Sequence, residues 1–129
     1  MVTDNQRQIE LAKATLEVIS GRGENMADIR HGIHYFYGGN FVALGASLAE
    51  LGYSVRPTVN NDGIVAERHE AIGEEWRTTS LSNLCELADT YGVEYDGWEA
   101  SMNKQPSKAA NAYGSQRAGL LSKIFGKKT

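Results

Sequence analysis

A single cysteine, Cys85, stands among 129 residues. No intrachain disulfide can form, so packing alone must hold the fold, as is usual in a reducing cytoplasm. Prolines number two, Pro57 and Pro106, which leaves most chain breaks to glycine. No stretch approaches the ~20 apolar residues of a transmembrane helix. The opening Met1-Val2-Thr3-Asp4-Asn5-Gln6 lacks the basic-then-apolar order of a signal peptide. Cytoplasmic residence is the expectation. Acid is missing from residue 103 onward. Residues 1–102 hold all 16 acids and seven of the 13 bases, a balance of −9, while residues 103–129 hold six bases, +6. Such a split predicts an acidic folded body followed by a separate basic tail.

What is present reads as one ordinary domain, with 41% hydrophobic and 22% charged residues. Thr3 or Asp4 can cap a first helix in which Ile9, Ala12, Leu16 and Ile19 recur at helical spacing. Residues 29–37 are β-branched and aromatic. Alternation puts Ile29, Ile33, Tyr35 and Tyr37 on one face and Arg30, His34 and Phe36 on the other. Gly38-Gly39 breaks this strand, and Asn40 can cap a second helix carrying Phe41, Leu44, Leu48 and Leu51 as one stripe. Residues 53–59 read as a strand placed at a sheet edge by Pro57. Asn60-Asn61-Asp62-Gly63 is a hairpin turn, and residues 64–72 form the return strand. Thr79 or Ser80 caps a third helix with Leu81, Leu84, Cys85, Ala88 and Tyr91 on its apolar face, and residues 93–102 form the last strand.

Strand, capped helix and aromatic strand thus occur twice. Two β-α-β halves joined by a hairpin give β-α-β-β-α-β. This predicts an α+β, ferredoxin-like fold, an antiparallel sheet with two helices on one face. An added N-terminal helix spans residues 1–25, the domain proper residues 28–102, and a flexible basic tail residues 103–129.

Within the last strand, Glu94-Tyr95-Asp96-Gly97-Trp98 packs two carboxylates, two aromatics and a glycine together. Regular alternation puts Glu94, Asp96 and Trp98 on one face and Tyr95 with Val93 in the core, and Gly97 suggests a bulge. An acid/base pair needs a cleft and an activated nucleophile, which nothing else in the chain supplies. His31 and His34 point to opposite faces of a regular strand, and Cys85 reads as a small buried hydrophobe, so neither metal nor cofactor is expected. Tyr35-Phe36-Tyr37 evokes RNA-binding sheets, but the Lys/Arg-Gly-aromatic signature is missing and the acidic body repels phosphates.

Three segments carry a resemblance. His34-Tyr35-Phe36-Tyr37, the helix end Leu48-Ala49-Glu50-Leu51-Gly52-Tyr53, and Tyr91-Gly92-Val93-Glu94-Tyr95-Asp96-Gly97-Trp98 together resemble the RraB family, regulators of ribonuclease E activity. The likeness runs from about residue 29 to about residue 100. It implies the same ferredoxin-like fold and a non-enzymatic inhibitor that binds ribonuclease E. The basic tail departs from the acidic extension of the best-known members.

The expected partner surface is an open sheet face and its rim: His34, Phe36, Glu94, Asp96, Trp98 and Glu99. The alternative is a ferredoxin-like domain holding a small ligand between sheet and N-terminal helix. In the tail, Leu120, Leu121, Ile124 and Phe125 alternate with Lys123, Lys127 and Lys128. A short basic amphipathic helix there is the one expected route to anionic membrane or nucleic acid. The chain is expected to be a monomer or a weak homodimer.

Overall fold

The computed structural model describes residues 4–103. Helix α1 (Asp4–Gly21) leads into strand β1 (Ile29–Tyr37), helix α2 (Phe41–Glu50), strand β2 (Ser54–Pro57) and strand β3 (Gly63–Ala71). Helices α3 (Glu74–Thr78) and α4 (Ser80–Thr90) and strand β4 (Glu94–Ala100) follow. The strands form one sheet in the order β2-β3-β1-β4, with every pairing antiparallel. The strand richest in β-branched and aromatic residues therefore sits inside the sheet. The four-residue strand holding Pro57 takes an edge, where a missing amide costs no ladder bond.

Local signals explain the turns. The Asn40 side chain accepts a hydrogen bond from the Ala43 amide and caps α2. Gly39 has a φ of 54°, and a side chain there would strike the Gly92 carbonyl. That close approach, closed by the Asn40 amide on the Tyr91 carbonyl at 3.0 Å, ties the start of α2 to the end of α4. Asn61 turns the β2–β3 hairpin with a φ of 55°.

Every second residue of β1, from Arg30 to Phe36, is buried against the helices, together with Ile64 and Ala66 of β3. The core joins Leu44 and Leu48 of α2, Leu81, Leu84 and Ala88 of α4, and Ala12, Leu16 and Ile19 of α1. Leu51, expected on the α2 stripe, is 51% exposed because the helix ends at Glu50. Helix α3 has no counterpart among the elements that the sequence predicts. Its Trp76 is 4% exposed and meets Trp98 edge-on with ring centroids 4.9 Å apart.

Helix α1 also closes one edge of the sheet. Asn5 accepts from the Tyr95 amide at 2.9 Å and donates to the Val93 carbonyl at 3.1 Å, and Gln8 donates to the Tyr95 carbonyl at 3.3 Å. These bonds occupy backbone groups that an edge strand otherwise offers to other chains. The loop before β1 is fixed by a buried ion pair, Arg30 to Glu24 at 2.5 Å. Among the described residues, no helix is long and apolar enough to cross a membrane.

Candidate interaction surface

The two faces of the sheet differ in chemistry, and a bulge decides which residues go where. Phe36 pairs with Tyr95 and Tyr35 with Gly97, so Asp96 and Gly97 together oppose one residue of β1. Gly97 has a φ of 127°, a backbone conformation that favours glycine. The extra residue reverses the alternation beyond it. Tyr95 and Trp98, three positions apart, both turn under the helices and are fully buried.

This corrects half of the expected surface. His34, Phe36 and Trp98 are each 0% exposed. The helical layer covers the His34–Phe36 face of β1, and the bulge carries Trp98 to that same face. Phe36 stacks on Tyr95 at 4.8 Å between centroids. His34 shares its Nδ1 with the Tyr95 hydroxyl at 2.7 Å and lies among Tyr53, Trp76 and Tyr95. Burial, helped by the Arg68 charge, lowers its pKa to about 3, so the imidazole is neutral. Burial likewise pushes the Tyr95 phenol well above its ordinary value. Cys85 is buried, its thiol raised to about 12 by burial and by Asp89, as an inert core group.

The opposite face carries no helix among the described residues. Its central strand presents Ile29, Ile33, Tyr35 and Tyr37, the set that alternation groups together, with His31 beside them. Glu94 stands opposite Tyr37 and Glu99 opposite Ile33. Glu94 is exposed, and Asp96 and Glu99 are partly buried, and they stand beside Tyr35 and Tyr37 instead of His34, Phe36 and Trp98. The Tyr35 hydroxyl donates to Glu99 at 2.6 Å. Burial raises the Tyr37 phenol, and the nearby Asp96 and Asp62 charges add to the rise.

Toward the other edge, Glu67 accepts from Arg56 at 2.9 Å and bonds His31 at 2.8 Å, and His31 stacks on His69 at 4.7 Å. Burial pushes the Glu67 carboxyl up, but the bonds from Arg56 and His31 outweigh it and hold the pKa below the usual value. Between these groups, Tyr35, Tyr37, Arg56, Val59, Asp62 and Val65 line a pocket of about 310 Å³ at the hairpin. Val65 forms its buried floor, at 3% exposure, and Val59 is fully exposed at its rim. Tyr35, Tyr37, Arg56 and Asp62 were absent from the expected surface, although the alternation of β1 already separated both tyrosines from Phe36.

A second hollow, of about 510 Å³, lies under α3 and is lined by Met26, Glu70, Gly73, Trp76 and Thr79 among others. Glu70 Oε2 and Trp76 Nε1 have no hydrogen-bond partner among the described residues. The tail positions Leu120, Leu121, Lys123, Ile124, Phe125, Lys127 and Lys128 lie outside the described residues. Compared with protein-family models and with curated proteins, the chain matches none.

Proposed function

We propose that the chain is a non-enzymatic protein-interaction module of the RraB type that binds a ribonuclease such as ribonuclease E in the cytoplasm and lowers its activity. The observation that carries this reading is the asymmetry of the sheet. One face is sealed by helices, and the other presents half-exposed tyrosines bordered by carboxylates. Aromatic anchors with a polar rim are the usual composition of a recognition surface. The strand order β2-β3-β1-β4 supports a ferredoxin-like β-α-β-β-α-β arrangement, as the resemblance implies. Affinity capture with purified ribonuclease E tests the proposal. Wild-type protein retains the nuclease, and a Tyr37→Ala, Asp96→Lys variant loses it. Equal retention by both would remove the surface, and no retention by either would remove this partner.

One observation favours a second reading, a small-ligand site. The hollow under α3 is lined by Glu70 and Trp76, each with one buried polar side-chain atom that has no hydrogen-bond partner among the described residues, and convergent polar groups are what orient a ligand. The expected ligand space between sheet and α1 is instead filled by Leu16, Ile19 and their neighbours. Quenching of tryptophan emission on titration with a metabolite panel separates the readings, since a saturable response supports the ligand site.

A further inference from the structure

Two histidines on the uncovered face have no part in the interaction reading, and their setting is that of a ligand pair. His31 of β1 and His69 of β3 are direct partners across the ladder. Directly opposed residues of antiparallel strands project to one face with Cβ atoms about 4.5–5.5 Å apart. The two rings stack with centroids 4.7 Å apart and planes 13° from parallel. His31 is partly exposed and His69 exposed. Alternation sets His31 against His34, on opposite faces of β1, whereas the register sets it beside His69.

Hydrogen bonding fixes which nitrogen of His31 is available. Glu67 accepts from Arg56 at 2.9 Å, and its other oxygen lies 2.8 Å from His31 Nε2. Partial burial pushes the Glu67 carboxyl up, but the bonds from Arg56 and His31 hold it below its ordinary value. It is therefore ionised near neutrality and can only accept. His31 Nε2 must carry the proton, which leaves the lone pair on Nδ1. Neither this nitrogen nor the His69 ring has a hydrogen-bond partner among the described residues. A carboxylate on one imidazole nitrogen, with the other left for the ion, is how metal-binding histidines are oriented. Glu67 is itself neutralised by Arg56, so ligation and not net charge is the attraction here.

Spacing and ligand type narrow the ion. Zinc–nitrogen bonds of about 2.0–2.1 Å hold two imidazole nitrogens roughly 3–4 Å apart. The stacked rings are near that spacing, and the χ2 torsion of histidine is broad. A turn of the exposed His69 ring therefore lets both side chains share one ion. Imidazole suits zinc, nickel and copper, whereas magnesium and calcium take oxygen ligands. Among the described residues, no three His, Cys, Asp or Glu side chains are grouped to hold an ion. The pair is thus a two-point ligand whose remaining positions fall to water, unlike the closed four-ligand sphere of a structural zinc site.

We propose that His31 and His69 form a two-histidine surface site for a divalent metal ion of the zinc, nickel or copper type. Glu67 is its positioning residue, orienting His31. The site stands independently of the protein-interaction reading.

Titration calorimetry with ZnCl2 and the untagged full chain tests it. Wild-type protein binds one zinc ion per chain saturably and does not respond to MgCl2. His31→Ala and His69→Ala each abolish the saturable heat, and Glu67→Ala weakens binding by about tenfold or more. Circular dichroism confirms that each variant is folded. A second readout needs no variant, because the chain holds only three histidines. In nitrogen-15 NMR spectra zinc moves the ring signals of His31 and His69 and leaves that of the buried His34 in place. No saturable heat with wild-type protein, binding unchanged in either histidine variant, or binding indifferent to Glu67→Ala overturns the proposal. Zinc that leaves the His31 and His69 ring signals unmoved overturns it as well.

Discussion

His34 shows how one residue can look functional in sequence and be structural in the fold. It sits between Ile33 and Tyr35 in a strand, fully buried, with Nδ1 bonded to the Tyr95 hydroxyl. Its folded pKa of about 3 lies below the ordinary value of 6.5. The unfolded chain therefore takes up a proton that the folded chain refuses. The stability tied to neutral His34 is complete above about pH 6.5 and drains away as pH falls toward 3, at up to about 1.4 kcal/mol per pH unit. A His34→Leu variant lacks this dependence. It should be less stable than wild type at pH 7, by about 1–3 kcal/mol, because the Tyr95 hydroxyl loses its partner. The gap should narrow by about 2 kcal/mol at pH 5. Urea titrations at the two pH values measure it, and a constant gap would contradict the assignment. Tyr95→Phe strands Nδ1 in the same way and should cost about 1–3 kcal/mol at pH 7.

At the scale of elements, β4 is defined by devices that the residues reveal only in part. Gly97 suggested a bulge, and one is there. Its consequence, the reversal of facing from Asp96 to Trp98, cannot be read from alternation, because alternation assumes that no residue is inserted. That single step moved Trp98 from an expected surface to the core. Gly97→Ala must hold a φ of 127° and should lower stability by about 1–3 kcal/mol in denaturant titration. Helix α1 was legible from its apolar spacing, but its docking was not. The spacing marks Ala12, Leu16 and Ile19, while the register on β4 is set by Asn5 and Gln8, whose polarity reads as surface. Asn5→Ala removes the acceptor of the Tyr95 amide and the donor to the Val93 carbonyl. It should cost about 2–3 kcal/mol and speed hydrogen exchange at the Tyr95 amide relative to the amides of β1. Unchanged exchange would mean that α1 does not hold this edge. Helix α3 is not legible in the sequence because five residues show too little periodicity, although Gly73-Glu74-Glu75 is an acidic helix start.

Across the whole molecule, the antiparallel sheet of four strands matches the expected α+β class, and the division into a sealed and an uncovered face follows from which side of β1 the helices take. Alternation defines the two sets in β1 without saying which one is covered. Both sets hold aromatics, Phe36 in one and Tyr35 with Tyr37 in the other, so hydrophobicity alone does not choose. The helices settle on the side of Phe36 and His34, where a Cβ at Gly32 would come within 3.1 Å of Ile72 Cδ1, closer than ordinary side-chain contact. The aromatic strand is thereby split between two jobs, and that split can be tested on one protein. Trp98 is fully buried against Trp76, so Trp98→Ala should cost about 3–5 kcal/mol. Tyr37 is only half-buried on the uncovered face, so Tyr37→Ala should change stability by about 1 kcal/mol or less. Partner capture should reverse the ranking. Tyr37→Ala should lose retention while staying folded, with its denaturation midpoint far closer to wild type than that of Trp98→Ala. Trp98→Ala, measured where it is still folded, should retain whatever wild type retains, because its side chain never reaches the face. A Trp98→Ala protein that is folded yet deaf to the partner would return the interaction to the helical side of the sheet.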